Sequence, residues 1–451
     1  MKETIKSAVI GLLALAGLIL YLSTRPRPPR QWTDTEAGEV LFPGFTDAAQ
    51  MRRVTIARYG ESGQIERLEL SRENQEWKIA TRSMAPAENS ERIASIASPL
   101  IGLTALTVMP PEETNDDFLR ACHLIDPTKA LGDEAADSGI FLEILGEDNA
   151  LLAKMIIGSQ PAESSAVRDL RYVLPEGSDR VMTVDFSSET VESSGQQKAD
   201  PYADRLSAQA LDWMNRSLLR VSRWKIARLS LFNYRWEEDR LCPETYLRAE
   251  QDPERSLDRV WKLTRQVSFA DGQMKEEELP EEESAEALEA GKKFNRYADL
   301  LGKLSFIDLR RKSDPLPEMF RRQASIQEIA PLADELALMG FHIADHDPLA
   351  PESIDPFLCG SAGEIELTMT DGIRYRLIIG AEKGDGSRWA LVTCRFDPGF
   401  FPEAPEGDSA ARSQRELDIA QGKKSAGETS RRLDDWYFLI PQEIAVGGGG
   451  L

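Results

Sequence analysis

The chain is poor in the residues from which metal and nucleophilic sites are usually built. Its 451 residues include 3 histidines and 4 cysteines, and aromatic residues make up only 7%. Cys122, Cys242, Cys359 and Cys394 lie far apart, with no C-x-x-C and no metal-ligand spacing. Free buried thiols are the expected state, with three pairings open if the body lies outside the cytoplasm. No G-x-S-x-G, G-x-x-x-x-G-K-[ST], G-x-G-x-x-G or H-E-x-x-H occurs, so no nucleophile elbow, phosphate loop, dinucleotide fingerprint or zinc-protease helix can be argued. Basic residues are in deficit, 54 against 76 acidic, for a net charge of -22. Duplex binding needs the opposite balance. What the chain does have is 41% hydrophobic residues, enough for packed cores and against wholesale disorder, and a length that suits two or three domains.

The charge is unevenly placed. Lys2, Lys6, Arg25, Arg27 and Arg30 against Glu3 give residues 1–30 a net +4, so the rest of the chain carries -26 of the total -22. Ala8 to Leu22 is uncharged and free of proline. These fifteen residues reach about 22 Å as a helix; extended to residues 5–24, with Lys6 reaching to the surface, they span the ~30 Å hydrocarbon core. The run ends in Leu20-Tyr21-Leu22-Ser23-Thr24-Arg25, a poor cleavage site, which favours an uncleaved signal anchor over a removed signal peptide. Positive charge is nearly equal on the two sides, so the positive-inside rule does not orient it. Residues 25–50, opening on Pro26, Pro28 and Pro29, read as a proline-rich stalk or linker, with Trp32 an interfacial or linker residue.

The body reads as a repeat. Val54–Ala57, Leu68–Leu70 and Trp77-Lys78-Ile79 form one set of short strands; Leu229–Leu231, Tyr246-Leu247 and Trp261-Lys262-Leu263 form another. An amphipathic helix follows each, through Ile93, Ile96, Ala97 and Leu100 behind Asn89/Ser90, and through Phe294, Tyr297, Ala298, Leu301 and Leu304. The helices close on Leu100-Ile101-Gly102 and Leu300-Leu301-Gly302, and later come Ile156-Ile157-Gly158 and Ile378-Ile379-Gly380. The last strand pairs are Arg171–Leu174 with Val181–Val184, and Trp389–Thr393 with Trp436–Ile440. The fold class expected is α+β: an N-terminal transmembrane helix plus two tandem repeats of mostly antiparallel strands with a helix on one face. The domains are 1–24 anchor, 25–50 stalk, 51–195 first repeat, 196–223 connecting helix and 224–445 second repeat. Polar insertions near 272–289 and 402–431 read as a solvated acidic loop and a disordered excursion.

This order resembles the bacterial family catalogued as domain of unknown function 4340. The resemblance rests on the N-terminal apolar helix, Trp77-Lys78-Ile79, Leu100-Ile101-Gly102, Ile156-Ile157-Gly158, Leu211-Asp212-Trp213 with Leu218-Leu219, and Asp435-Trp436-Tyr437-Phe438. It covers most of residues 45–445, through packing motifs that carry no chemistry. Where many members have a glycine before the strand after the first helix, this chain has Cys122-His123-Leu124-Ile125-Asp126-Pro127. The family is generally membrane-anchored and similar in gene setting to auxiliary components of gliding-motility-type ABC transport systems. The resemblance therefore implies a single-pass protein of the bacterial cytoplasmic membrane, its body periplasmic, acting on a protein partner in the envelope.

One side-chain cluster invites a metal. In Phe341-His342-Ile-Ala-Asp345-His346-Asp347-Pro348 a helix would bring His342 and His346 onto one face, as zinc or copper requires. Gly340 and Pro348 argue against that helix, so the segment reads as a polar loop. Gly384-Asp385-Gly386-Ser387 reads as a β-turn, Trp77, Trp261 and Trp436 as core, and no catalytic pair stands out among 76 carboxylates. The expectation is a non-catalytic, membrane-tethered binding or scaffold module without cofactor. The alternative is an envelope hydrolase using unrecognised carboxylates or the His342/His346 segment.

Overall fold

Short alternating runs of β-branched, aromatic and leucine residues, broken by tight turns, fold in this computed structural model into two large antiparallel sheets with a few helices. The structure describes residues 36–444, apart from 163, 165–167, 188–200, 252–259, 271–272, 283, 322–324, 354–355 and 406–407. The apolar run at residues 5–24 lies outside the described residues. Among the described residues no helix is long and apolar enough to cross a membrane. The chain divides into two compact units at Asn215/Arg216.

In the first unit the strands are β1 (Arg53–Tyr59), β2 (Ile65–Glu73), β3 (Glu76–Ile79), β4 (Ala85–Pro86), β5 (Thr107–Val108), β6 (Ile140–Leu145), β7 (Leu151–Ile157), β8 (Leu170–Pro175) and β9 (Met182–Asp185). They lie in the order β4-β3-β2-β1-β6-β7-β8-β9-β5. Helices α1 (Ser90–Ala97), α2 (Asp116–Ala121) and α3 (Tyr202–Arg205) complete it. Asn89 caps α1 by accepting the Arg92 N–H at 3.1 Å, and the helix buries Ile93, Ile96 and Ala97 in the same core as Val54, Ile56, Leu70 and Leu142.

The second unit has β10 (Ile226–Glu237), β11 (Arg240–Gln251), β12 (Trp261–Ala270), β13 (Gln273–Glu276), β14 (Asp308–Arg311), β15 (Phe341–Ala344), β16 (Phe357–Gly360), β17 (Glu364–Met369), β18 (Ile373–Glu382), β19 (Arg388–Phe396) and β20 (Trp436–Ile440). Its large sheet runs β13-β12-β11-β10-β17-β18-β19-β20-β14, and β15 and β16 form a separate hairpin. Its helices are α4 (Ala285–Lys303), α5 (Leu316–Arg321), α6 (Ile326–Ile329), α7 (Ala333–Leu338) and α8 (Ser409–Leu433).

The two large sheets share one strand order, including the crossover that sends the fifth strand to the far edge beside the ninth. Their registers agree as well. Val54 faces Leu70, Leu70 faces Ile79 and Arg72 faces Trp77; Leu229 faces Ala249, Ala249 faces Leu263 and Gln251 faces Trp261. Gly158 and Gly380 also fall on equivalent positions. A Cβ on Gly158 would lie 2.3 Å from the Cys122 carbonyl oxygen, and one on Gly380 would lie 2.2 Å from that of Met339. Those carbonyls accept the N–H of Ser159 at 2.8 Å and of Ala381 at 2.9 Å. The next residues, His123 and Gly340, both have positive φ, 52° and 76°, as the chain reverses out of α2 and α7. The left-handed position that is glycine in the second unit is thus histidine in the first.

Several expectations need correction. The stalk does not extend to residue 50: Leu41, Phe42 and Phe45 are buried in the first core, and Leu41 N–H bonds to Leu103 O at 2.8 Å. No connecting helix occupies the described part of 196–223. Only α3 and a 3-10 turn at Ala210–Trp213 form there. Pro201 opens the short α3, the Ser207 hydroxyl bonds Asp212 beyond its end, and Tyr202 and Trp213 bury in the first unit, Tyr202 donating to Ile96 O at 2.9 Å. The acidic insertion is loop only at its centre, since β13 takes its start and α4 its end. The expected excursion at 402–431 is mostly helix α8. Asp408 caps it, and Gly422, Ala426 and Leu433 are its buried residues. Trp261 is buried, whereas Trp77 is half-buried against the first core.

Candidate functional site

The sheet of the second unit is sided by its period-two alternation. Leu229, Leu231, Ala249, Leu367, Tyr375, Leu377 and Val392 are buried on one side, and α8 packs along β18 and β19, with Thr429 bonding Tyr375. The opposite side carries Ser230, Phe232, Tyr246, Arg248, Arg265, Glu364, Glu366, Arg374, Arg376, Thr393 and Arg395. With residues from α5, α6, the segment after β15 and the start of β16, they enclose an open cleft of about 1180 Å³. Pairing places Arg265, Arg248, Ser230, Glu366, Arg376 and Thr393 in one row across five interstrand steps. Arg374 faces Arg395 in the neighbouring row.

At the cleft floor Arg376 grips Glu364 with Nη2 at 2.6 Å and Nε at 3.1 Å, and donates to Leu358 O at 2.7 Å. Tyr234 adds a hydroxyl bond to Glu364 at 3.1 Å and accepts the Gly360 N–H at 3.1 Å. Burial pushes the Glu364 carboxyl above the usual glutamate range, against the opposing pull of Arg376 and the Tyr234 hydrogen bond. Burial opposes the charged form of Arg376 too, but Glu364 holds its pKa above the ordinary arginine value. Burial and the neighbouring Glu364 also raise Tyr234, which stays a neutral donor.

The other arginines are less committed. Arg374 pairs with Glu366 at 2.6 Å and Arg265 with Glu276 at 2.6 Å. Arg248 has a long bond to Ser230 Oγ, 3.4 Å, and lies 5.6 Å from the centre of the Tyr246 ring. The Arg395 side chain makes no hydrogen bond or ion pair among the described residues, with only the longer-range attraction of Asp434. Desolvation and repulsion from Arg376 and Arg374 pull its pKa below the usual arginine value.

The equivalent face of the first unit is neutralised internally. There Thr55 stands for Ser230, Glu143 for Glu366 and Lys154 for Arg376, by the same pairing. Lys154 bonds both Glu143 at 2.9 Å and Glu176 at 2.7 Å. Glu69, at the position of Arg248, is paired with Arg53 and Arg67. Every cation named on that face has a carboxylate, whereas two on the second face have none.

The residues singled out from sequence do not assemble this site. His342 lies on β15, a strand and not a loop, because it pairs opposite Cys359. Its ring stacks on Trp236 with centroids 4.4 Å apart and Nε2 3.3 Å from Ser361 Oγ; burial lowers its pKa. His346 comes two residues after the strand, in a bend, and not on a helix with His342. Among the described residues no three His, Cys, Asp or Glu side chains converge as a metal site. All four cysteines are free thiols, and burial pushes Cys359 and Cys394 up to about 12. Gly384–Ser387 is a turn, closed by Lys383 N–H to Ser387 O at 2.7 Å. The arginine face did leave a trace in sequence: Glu364 and Glu366 on one strand and Arg374 and Arg376 on the next alternate with apolar residues at period two.

Fold and site together define an α+β protein of two compact units, the second carrying a cleft lined by arginines and carboxylates. Compared with protein families, curated proteins and solved structures, the chain matches none.

Proposed function

We propose that this chain is a non-enzymatic binding module, tethered to the bacterial cytoplasmic membrane by residues 5–24, with its body extracytoplasmic and serving an ABC-type transport or envelope complex. The observation that supports a binding role is the contrast between two sheets of one design. The first neutralises its open face with its own carboxylates, and the second leaves Arg248 and Arg395 without one. A face whose charges are already paired has little to offer a partner, whereas an uncompensated guanidinium in a cleft gains a charge-assisted bond when an anion arrives. The membrane placement rests on the uncharged run and the family resemblance.

The test is co-purification of the full-length chain from detergent-solubilised membranes after carbonate washing. The chain stays with the membrane and brings down a protein that Arg248→Glu with Arg395→Glu releases. A chain recovered in the soluble fraction refutes the tether, and a partner held equally by the double variant refutes the cleft as binding face.

One observation favours the hydrolase reading: Glu364 and Glu366 share the cleft, and Glu364 has a raised pKa. Both are already engaged by Arg376 and Arg374, which leaves neither carboxylate free to serve as a base. Hydrolytic activity of the purified chain that disappears in Glu364→Gln, with the fold intact, would reverse the assignment.

A further inference from the structure

We propose that the cleft of the second unit receives an extended acidic peptide segment of a partner protein, held by two carboxylates, one on Arg248 and one on Arg395. This rests on the binding-module reading and specifies what is bound.

Three of the five cleft arginines are occupied, Arg376 by Glu364, Arg374 by Glu366 and Arg265 by Glu276. The two that are not stand on β11 and β19, separated in the sheet by β10, β17 and β18. At about 4.8 Å per interstrand step their strands are about 19 Å apart. A single phosphate or carboxylate cannot serve both, even with the side chains leaning inward. An extended chain, advancing about 3.3 Å per residue, covers the interval in about six residues. Each guanidinium is a planar fork that matches a carboxylate in bidentate fashion.

Between the two cations the cleft supplies what a peptide uses. Thr393 offers a hydroxyl on the sheet side, where Ser230 is buried and already bonded to Tyr246 and Arg248, while Met319, Phe320, Ile329 and Leu349 share the other wall with Ser325, Gln327 and Asp347. The apolar members of that wall suit the apolar side chains of a peptide. The volume of about 1180 Å³ also exceeds the roughly 300–1,000 Å³ of small-molecule pockets. The cleft is also lined by Glu364, Glu366, Asp347 and Asp397, so the attraction is local to Arg248 and Arg395, and a dense polyanion would meet these carboxylates.

The experiment uses the full-length chain, immobilised in detergent micelles, to select from a random dodecapeptide display library. Enriched peptides should carry two acidic residues about five to seven positions apart with apolar residues between them. Arg248→Ala and Arg395→Ala should each weaken the selected peptides about tenfold or more, and the double variant should lose them. Circular dichroism and thermal melting of each variant should show that it stays folded at the binding temperature, with only the modest loss expected where Arg248 gives up its contacts to Ser230 and Tyr246. Recovery of neutral or basic peptides, no enrichment, or enrichment that survives the double variant overturns the proposal. So does polyphosphate or an oligogalacturonide that binds more tightly than the peptides through the same two arginines. If membrane co-purification depends on Arg248 and Arg395 while the library yields no acidic pairs, the peptide assignment fails and the binding-module reading stands. If the double variant keeps its membrane partner, the cleft reading itself fails.

Discussion

Two glycines five residues apart on α8 should respond differently to the same substitution. Alanine raises helix propensity by about 1 kcal/mol at either Gly422 or Gly427. At Gly427 a Cβ meets nothing within 4 Å, so Gly427→Ala should stabilise by close to that amount. At Gly422 the Cβ would lie 2.2 Å from Phe396 Cε2 and 2.9 Å from the Asp371 carbonyl oxygen, against an ordinary contact of 3.4 Å or more. The ring, which neighbours Phe401 at 6.1 Å between centroids, and the turn at Asp371 would both have to retreat. Such overpacking costs about 1–3 kcal/mol. The propensity gain cancels between the variants, so Gly422→Ala should be less stable than Gly427→Ala by about 1–3 kcal/mol. For a unit of this size that is a separation of roughly 2–10 °C in melting temperature. The assay is thermal and urea unfolding of the full-length chain, followed by circular dichroism and tryptophan fluorescence. A Gly422→Ala protein as stable as Gly427→Ala would refute the close crossing of α8 over the sheet.

Gly158→Ala and Gly380→Ala should each destabilise their own unit by about 2–4 kcal/mol in denaturant titrations, combining overpacking with loss of the Ser159 or Ala381 hydrogen bond; tolerance in one unit alone would break their equivalence. Trp261→Ala, which empties a buried site beside Phe294, should cost about 3–5 kcal/mol, and Trp77→Ala clearly less because its ring is half-buried; equal losses would contradict the burial difference. Burial alone would raise the Asp185 pKa, but hydrogen bonds from Ser187 and Arg168 hold it below the usual carboxylate range. Its contribution is therefore present above the unfolded aspartate pKa and is lost as pH falls through the lower folded value. The stability deficit of Asp185→Asn should shrink toward zero on that descent, and a deficit independent of pH would assign the residue no electrostatic part.

Local pattern determined much of this protein. Period-two alternation placed the strands around Val54, Leu68, Leu229 and Tyr246. The i, i+3, i+4 spacing of Phe294, Tyr297, Ala298 and Leu301 determines α4, and the phrase around Trp77 recurs around Trp261 at the same place in the second sheet. These features need only residues within one turn or one strand of each other, so they are written in sequence. Helix α8 is not visible in that way, because its buried contacts include glycine and alanine, and a polar helix with such a stripe looks like a polar loop until a sheet lies against it. Leu41, Phe42 and Phe45 look like part of a linker until Leu103 offers its carbonyl. The segment around Tyr202 and Trp213 has helical spacing, yet it spends those rings on the first core. The cleft is the most distant of these from sequence. Arg248 and Arg395 stand 147 positions apart in the numbering, and only the order of five strands and their register puts both on one face with no carboxylate opposite. Whether a charge is paired depends on which strand lies beside it, and that is decided by long-range pairing and not by any neighbour in the chain.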